Sequence, residues 1–205
     1  MTDNLICGID IGSSKIATVV GMASEETNEL KIIGFNSTMA RGVKKGLIVD
    51  IKEATAAVED SVEKAERMAG HKINRAYASV GGPHISSLNS HGIVAISNPQ
   101  GEIDEDDVAR VVEAAKAISL SSTRRIIEVI PRDYIVDGQS GIKNPIGMSG
   151  VRLEVETHII TASSTNLKNQ ERILSDLGIE NQGFVFSGLA SAEAVLTNTE
   201  KELGI

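Results

Sequence analysis

One eight-residue segment near the amino terminus limits what this chain can fold into. Residues 8–15 read GIDIGSSK. They overlap one apolar run, at residues 5–11, and directly precede a second, at residues 16–22, and both runs have the length and composition of buried strands. Gly12 permits a tight turn between the two strands and lets the backbone approach a ligand closely. The pattern therefore predicts a β-hairpin with a turn rich in glycine and serine.

The turn of this hairpin carries the residue types of a phosphate-binding site. The amides of Gly12, Ser13 and Ser14 can point into one concavity that suits anions, and the two serine hydroxyls add donors. Asp10 stands at the end of the first strand and can hold Mg²⁺ through the water shell that this cation retains. The motif alone leaves a second interpretation open, an ordinary hairpin whose Asp and Ser side chains bond to their own backbone.

Spacing and charge disfavour several other functions. The turn lacks the spacing of a P-loop, and it leads into a strand instead of the helix of a dinucleotide-binding motif. The net charge of −8 argues against nonspecific nucleic-acid binding and against direct binding to anionic lipid. The single cysteine, Cys7, lies in an apolar run typical of a buried thiol, and neither it nor the histidines are spaced as zinc ligands. Because a single cysteine cannot form a disulfide within the chain, we expect a cytoplasmic protein.

Strand and helix signals alternate in the first and last parts of the chain. The first part predicts three strands, a polar turn at residues 24–29, a helix that begins after Asp50 and stops at Gly70, and a strand at residues 75–80. The last part predicts a helix, a short strand and a final helix, at residues 166–177, 183–187 and 189–202. Together these parts form one α/β series.

The middle part follows a break at residues 81–83 and has its own order of elements. It predicts a strand at residues 84–97 and a helix that begins at Asp104. Two more strands are predicted, one at residues 125–136 that Pro131 interrupts and one at residues 151–162. Residues 138–150 are rich in glycine and predict a long loop. Two interpretations of this loop remain open, a partner-binding surface and a connection packed on its own domain.

The middle part therefore interrupts a domain that continues after it. An insertion at such a break is tolerated when the two ends of the insert lie close together. We predict one discontinuous α/β domain, residues 1–83 and 163–205, that carries a small α+β domain, residues 84–162.

Four segments resemble one known family. GIDIGSSK and the strands and helix after it resemble the first phosphate motif of the actin, heat-shock chaperone and sugar-kinase ATPase superfamily. Residues 41–50 (RGVKKGLIVD), 137–153 (DGQSGIKNPIGMSGVRL) and 189–196 (LASAEAVL) narrow the resemblance to the FtsA family of bacterial cell-division proteins. The resemblance runs along essentially the whole chain, and residues 137–153 are its most specific part.

This resemblance implies an actin-like ATPase fold and a nucleotide site. Residues 1–83 and 163–205 would be subdomain 1A, with a ribonuclease H-like core, and residues 84–162 the inserted subdomain 1C, an SHS2 domain. The full-length protein is expected to bind ATP and Mg²⁺ and to be at most a weak ATPase, with no catalytic residue carried over. The residues carried over to the phosphate and metal side are Asp10 (for Mg²⁺, through water), Gly12, Ser13, Ser14 and Lys15.

The resemblance also implies a role in septum formation. Members of the family polymerise like actin under nucleotide control, tether FtsZ to the cytoplasmic face of the cell membrane at the division site, and contact other division proteins and each other through 1C. The family's second phosphate motif, its FtsZ site in subdomain 2B and its membrane-binding terminal helix do not occur in this sequence. We therefore expect a truncated, inactive form that leaves ATP and Mg²⁺ unbound or weakly bound.

Two alternative functions stay open at this point. The first is a pilus-assembly-type actin-like adaptor, which would share the inserted module, although residues 137–153 favour the FtsA family. The second is a sugar-kinase-like phosphotransferase, which needs a carboxylate to accept a hydroxyl proton. No such carboxylate is recognisable besides Asp10, whose expected role is to hold the metal.

Overall fold

The computed structural model describes residues 5–24, 29–98 and 101–204. The chain divides into two compact units, unit 1 with Met1–His84 and Ser163–Ile205, and unit 2 with Ile85–Ala162. The elements in chain order are β1 (Leu5–Ile11), β2 (Lys15–Ala23), β3 (Leu30–Met39), β4 (Val43–Lys44), β5 (Leu47–Ile48), α1 (Ile51–Ala69), β6 (Arg75–Val80), β7 (Ser86–Ala95), α2 (Glu105–Lys116), β8 (Arg124–Val136), β9 (Gln139–Ile142), β10 (Arg152–Ser163), α3 (Ser164–Asp176), β11 (Glu180–Phe186), α4 (Ser187–Val195) and α5 (Asn198–Leu203).

A five-stranded mixed sheet forms the centre of unit 1, in the order β11-β6-β1-β2-β3. Strands β1, β2 and β3 are antiparallel neighbours, whereas β6 is parallel both to β1 and to β11. Antiparallel neighbours need only tight turns between them, whereas parallel neighbours need crossover connections. Because β1, β6 and β11 run in one direction, their carboxyl ends lie at the same edge of the sheet.

The predicted hairpin at the amino terminus is present. Ile11 at the end of β1 pairs with Ile16 in β2, on either side of the glycine and serine turn. The next turn, predicted at residues 24–29, is closed by a hydrogen bond of 2.9 Å from the amide of Ser24 to the carbonyl of Glu29. Residues 25–28 of that turn lie outside the described residues.

Helix α1 packs against β2 and β3 on one face of this sheet. It begins after Asp50, whose carboxylate accepts the amide of Glu53 at 3.1 Å, and it ends at Gly70, which has a left-handed φ of 72°. A Cβ atom on Gly34 of β3 would lie 2.7 Å from the carbonyl oxygen of Ala65, so the helix approaches the sheet more closely than any other residue would allow. The buried side chains of α1 are small: Ala54, Ala57, Val58, Ser61, Val62 and Ala65.

Unit 2 is built on a four-stranded sheet in the order β7-β10-β8-β9, with α2 packed against it. Gly92 lets α2 lie close to β7, since a Cβ atom there would be 2.3 Å from the carbonyl oxygen of Val111. Asp104 and Asp107 cap the start of α2 through reciprocal bonds to each other's amides. The buried core of the unit consists of Ile103, Val111, Ala115, Tyr134, Val136, Leu153 and Val155.

The order strand, helix, strand, strand predicted for the middle part is confirmed by β7, α2, β8 and β10, and the structure adds β9. Strand β9 lies inside the segment predicted as a loop and pairs with Tyr134 and Val136 of β8. The predicted interruption at Pro131 is wrong, because β8 continues through it. Pro131 lies beyond the pairing with β9, and a strand edge tolerates a residue that has no amide hydrogen.

Another detail of the prediction is wrong. The single helix predicted at residues 189–202 is two helices, because Leu196 is extended and Thr197 caps the start of α5. Met68 and Val151 continue the apolar periodicity of α1 and β10, yet they are 66% and 76% exposed. Each stands at an end of its element, Met68 in the last turn of α1 and Val151 just before β10, where periodicity no longer guarantees an opposing layer.

Candidate phosphate-binding site

Two turns and the start of a helix follow the carboxyl ends of the parallel strands in unit 1. Gly12 follows β1, Gly81 follows β6, and Ser187 follows β11 as the first residue of α4. Gly81 and Ser187 are neighbours, since a Cβ atom on Gly81 would lie 2.4 Å from the Oγ of Ser187. In open α/β sheets ligands bind in the crevice beyond such strand ends. This edge of the sheet is therefore the candidate site, and it contains the sequence-predicted residues of the first turn.

A backbone hydrogen bond closes the turn between β1 and β2. The amide of Gly12 donates to the carbonyl of Lys15 at 3.1 Å, and a Cβ atom on Gly12 would lie 2.8 Å from that oxygen. The close approach explains why the turn needs a glycine. The Gly12 amide, one of the three predicted to form an anion-binding nest, is therefore engaged within the turn itself.

Ser13 and Ser14 connect the turn to two neighbouring segments. The Oγ of Ser13 accepts a hydrogen bond of 2.7 Å from the amide of Gly46. The carbonyl of Ser14 accepts one of 3.1 Å from the amide of Ala40, just after β3. Both serines and Lys15 are exposed, so a dissolved anion can reach them without any rearrangement of the core.

Asp10, at the end of β1, accepts a hydrogen bond at Oδ1 from the hydroxyl of Ser79 on β6. Its Oδ2 lies 3.6 Å from the position of a Cβ atom on Gly12, so the second oxygen faces the turn. Mg²⁺ takes carboxylate and water oxygens as ligands, and a carboxylate held at one oxygen fits a metal bound through the other. Ser79 was missed in the sequence because it lies on a different strand from the motif.

An apolar depression of about 270 Å³ adjoins Asp10 and Ser79. Gly8 and Asp10 alternate along β1 with the buried Ile9, so they lie on the face of the sheet opposite the α1 core. Asp10 therefore stands at the border between an apolar wall and the exposed turn. Besides Asp10 and Ser79, the depression is lined by Gly8, Ile9, Ala17, Val19, Tyr77, Ala78, Val185 and Ala190.

The single cysteine, Cys7, belongs to the buried core of unit 1. Burial raises the pKa of the Cys7 thiol, with a smaller increase from Glu66 and an opposing effect of Arg75, so Cys7 is a protonated core residue. Within residues 5–24, 29–98 and 101–204, no group of three or more His, Cys, Asp or Glu side chains is placed to hold a metal ion. In the same described ranges, no helix has both the length and the apolar character required to cross a membrane.

Comparisons with known proteins agree with this architecture. A family model described as "SHS2 domain inserted in FTSA" matches residues 82–161. The chain is 43% identical over 205 residues to cell division protein FtsA of Borreliella burgdorferi, covering 100% of this chain and 49% of that protein. It is 38% identical over 201 residues to FtsA of Pseudomonas aeruginosa, covering 98% of this chain and 48% of that protein.

A solved structure of the PilM-PilN type IV pilus biogenesis complex has a similar fold, with a TM-score of 0.58 at 13% identity over 92% of this chain and 49% of that chain. At this identity the likeness shows the fold alone. The fold is that of an actin-like ATPase, and it carries an SHS2 domain. The chain is similar to FtsA cell-division proteins over its whole length, as its motifs predicted, and it spans about half the length of the curated relatives it matches.

Proposed function

We propose that unit 1 is subdomain 1A of an FtsA-type protein and binds the phosphates and Mg²⁺ of ATP, and that unit 2 is the inserted subdomain 1C. One observation carries this proposal: the parallel strands β1, β6 and β11 end at one edge, where the turn after β1 presents two serines and a lysine beside Asp10. Backbone amides and hydroxyls at such a turn favour anions.

Each residue of the turn has its own role in this proposal. Ser13 and Ser14 donate from their amides and hydroxyls to phosphate oxygens, and the ammonium group of Lys15 adds positive charge. Gly12 keeps the turn narrow so that a phosphate can approach the backbone. Asp10, oriented by Ser79, would hold Mg²⁺ through its water shell, and the cation would supply positive charge beside the phosphates.

The turn after β1 supplies one side of a phosphate clamp, so we expect this chain to bind Mg²⁺-ATP only at millimolar concentrations. Titration followed by ¹H–¹⁵N NMR is expected to shift the amide signals of residues 10–15 and to leave those of unit 2 unchanged. Calorimetry that gave a micromolar affinity would contradict the one-sided clamp. Shifts confined to other parts of the chain would contradict the site.

For the longer protein we propose the adaptor role of the family. It includes nucleotide-controlled, actin-like polymerisation, attachment of FtsZ to the cytoplasmic face of the membrane at the division site, and recruitment of other division proteins through unit 2. Support comes from the family and from the SHS2 match, which spans nearly all of unit 2.

A pull-down with the immobilised chain tests the recruitment role. Unit 2 is expected to retain a division protein other than FtsZ, because the FtsZ site is expected in subdomain 2B. Retention of pilus-assembly proteins and of no division protein would instead favour the pilus-type adaptor. Two substitutions on the surface of unit 2 that abolish retention while the chain stays folded would locate the contact.

A further inference from the structure

Strands β4 and β5 form a small hairpin whose tip is the two-residue turn Lys45-Gly46. Lys44 pairs with Leu47 across it, and both turn residues are left-handed, with φ of 50° and 72°. Such a turn matches the twist of a two-residue hairpin, and a non-glycine residue rarely adopts this conformation. The tip is therefore a defined structure, held in a conformation that lysine adopts only under constraint.

The tip lies against the turns that follow β1 and β6. The amide of Gly46 donates to the Oγ of Ser13 at 2.7 Å. A Cβ atom on Gly46 would lie 2.5 Å from the carbonyl oxygen of Gly81, and one on Gly82 would lie 2.8 Å from the carbonyl oxygen of Lys45. The two glycine-containing turns therefore meet at a separation that no larger residue permits.

The base of the hairpin is held as well. The carbonyl of Gly42 accepts the amides of Val49 at 2.8 Å and Asp50 at 3.1 Å. A Cβ atom on Gly42 would lie 2.2 Å from the carbonyl oxygen of Asp50, the residue that caps α1. The hairpin is thus fixed at its base by the start of α1 and at its tip by the strand-end turns, so the direction of the Gly46 amide is set by the fold.

We infer that Gly46 is a positioning residue of the phosphate site, an inference that rests on the function proposed above. A hydroxyl oxygen that accepts from a fixed amide cannot direct its own hydrogen toward that amide. The hydrogen of Ser13 is therefore turned away from the hairpin and is available to a phosphate oxygen. Orienting a donor before the ligand arrives lowers the entropy lost on binding.

The bond itself can be tested without any ligand. Amide hydrogen exchange measured by NMR is expected to show a protected Gly46 amide in the wild-type chain. Ser13→Ala is expected to speed its exchange by about three- to tenfold, the effect of one hydrogen bond. Ser14→Ala, which removes the neighbouring hydroxyl, is expected to leave the exchange of Gly46 unchanged. Equal exchange in the wild type and in Ser13→Ala would overturn the inference.

A second experiment separates this inference from the proposed function. In Gly82→Ala the new methyl group meets the carbonyl of Lys45 and displaces the hairpin tip. Gly178→Ala also places an alanine at a positive φ, but no atom lies within 4 Å of its methyl group. The probe is Mg²⁺-ATP at millimolar concentration, and the readout is the shift of the Ser13 amide signal.

The shift is expected to persist in Gly178→Ala and to fall at least about threefold in Gly82→Ala, as for loss of one hydrogen bond. No shift in the wild-type chain would overturn the phosphate site itself. A full shift in Gly82→Ala would overturn the positioning role alone. If Gly82→Ala fails to fold, the exchange of Gly46 in Ser13→Ala still decides the inference.

Discussion

The hydroxyl of Ser79 donates a hydrogen bond to Oδ1 of Asp10, a residue 69 positions earlier in the sequence. The contact forms because β6 lies parallel beside β1, with Gly8 opposite Tyr77 and Ile9 opposite Ala78. It fixes the carboxylate of the proposed metal site from a neighbouring strand. The site is therefore a product of the sheet, and the hairpin that carries its motif supplies only part of it.

Loss of the Ser79 hydroxyl is expected to destabilise unit 1. Ser79→Ala removes a hydrogen bond to a charged group and is expected to lower the free energy of unfolding by about 1–2 kcal/mol. Urea denaturation followed by circular dichroism measures this. Ser37→Ala, at an exposed position of β3, serves as the control and should change it by less than about 0.5 kcal/mol. A Ser79→Ala protein as stable as the control would show that the contact contributes nothing.

Gly34 is expected to be intolerant of a methyl group. In Gly34→Ala the new Cβ lies 2.7 Å from the carbonyl of Ala65 and 2.8 Å from the Cβ of Ala69, so α1 must move away from β3. Overpacking of this kind costs about 1–3 kcal/mol. Gly8→Ala, on β1 with no atom within 4 Å of the methyl group, is the matched control. Equal urea midpoints for the two variants would argue against the close packing of α1.

Unit 2 is expected to lose stability in acid through Asp107. Burial by itself raises the pKa of this carboxyl, but the hydrogen bonds from Arg110 and from the amides of Asp104 and Ser97 outweigh it and hold the pKa below its usual range. A folded-state pKa below the unfolded value means that the stabilisation is complete above the unfolded value, about 3.9. It is lost as the pH falls through the lower folded value.

Asp107→Asn tests this expectation, because it removes the charge and keeps the shape of the side chain. The difference in urea midpoint between this variant and the wild type should be largest near neutral pH. It should narrow as the pH is lowered below about 3.9, because the unfolded chain then takes up a proton more readily than the folded carboxyl does. A difference that stays constant over this range would exclude a contribution from the ionised carboxylate.

Unit 2 is expected to self-associate weakly through β7. This ten-residue strand is at one edge of its sheet, and Ile93 on it is 52% exposed. An exposed edge strand offers its backbone groups to another chain, and a charged side chain on the edge suppresses such pairing. In sedimentation velocity, the sedimentation coefficient of the wild type should increase with protein concentration, and that of Ile93→Lys should not. A strictly monomeric wild type at high concentration would rule out association through this edge.

The sequence by itself determined the features that a few neighbouring residues encode. Asp50 and Gly70 marked the ends of α1, because a cap and a left-handed glycine act within one turn of the helix. The segment at residues 8–15 determined the first hairpin, and residues 137–153 carried the most specific part of the resemblance to the FtsA family. The alternation of strands and helices predicted an inserted module after residue 83, since each element carries its own periodicity.

Only the tertiary structure decided which distant residues meet. Ser79 reaches Asp10, and Gly46 reaches Ser13 across 33 positions, because of strand order and of glycine contacts that no local pattern contains. The same limit explains the exposed ends at Met68 and Val151, where periodicity continues but the opposing layer does not. Periodicity reports which way a side chain points, whereas burial and hydrogen bonding depend on what the rest of the chain places there.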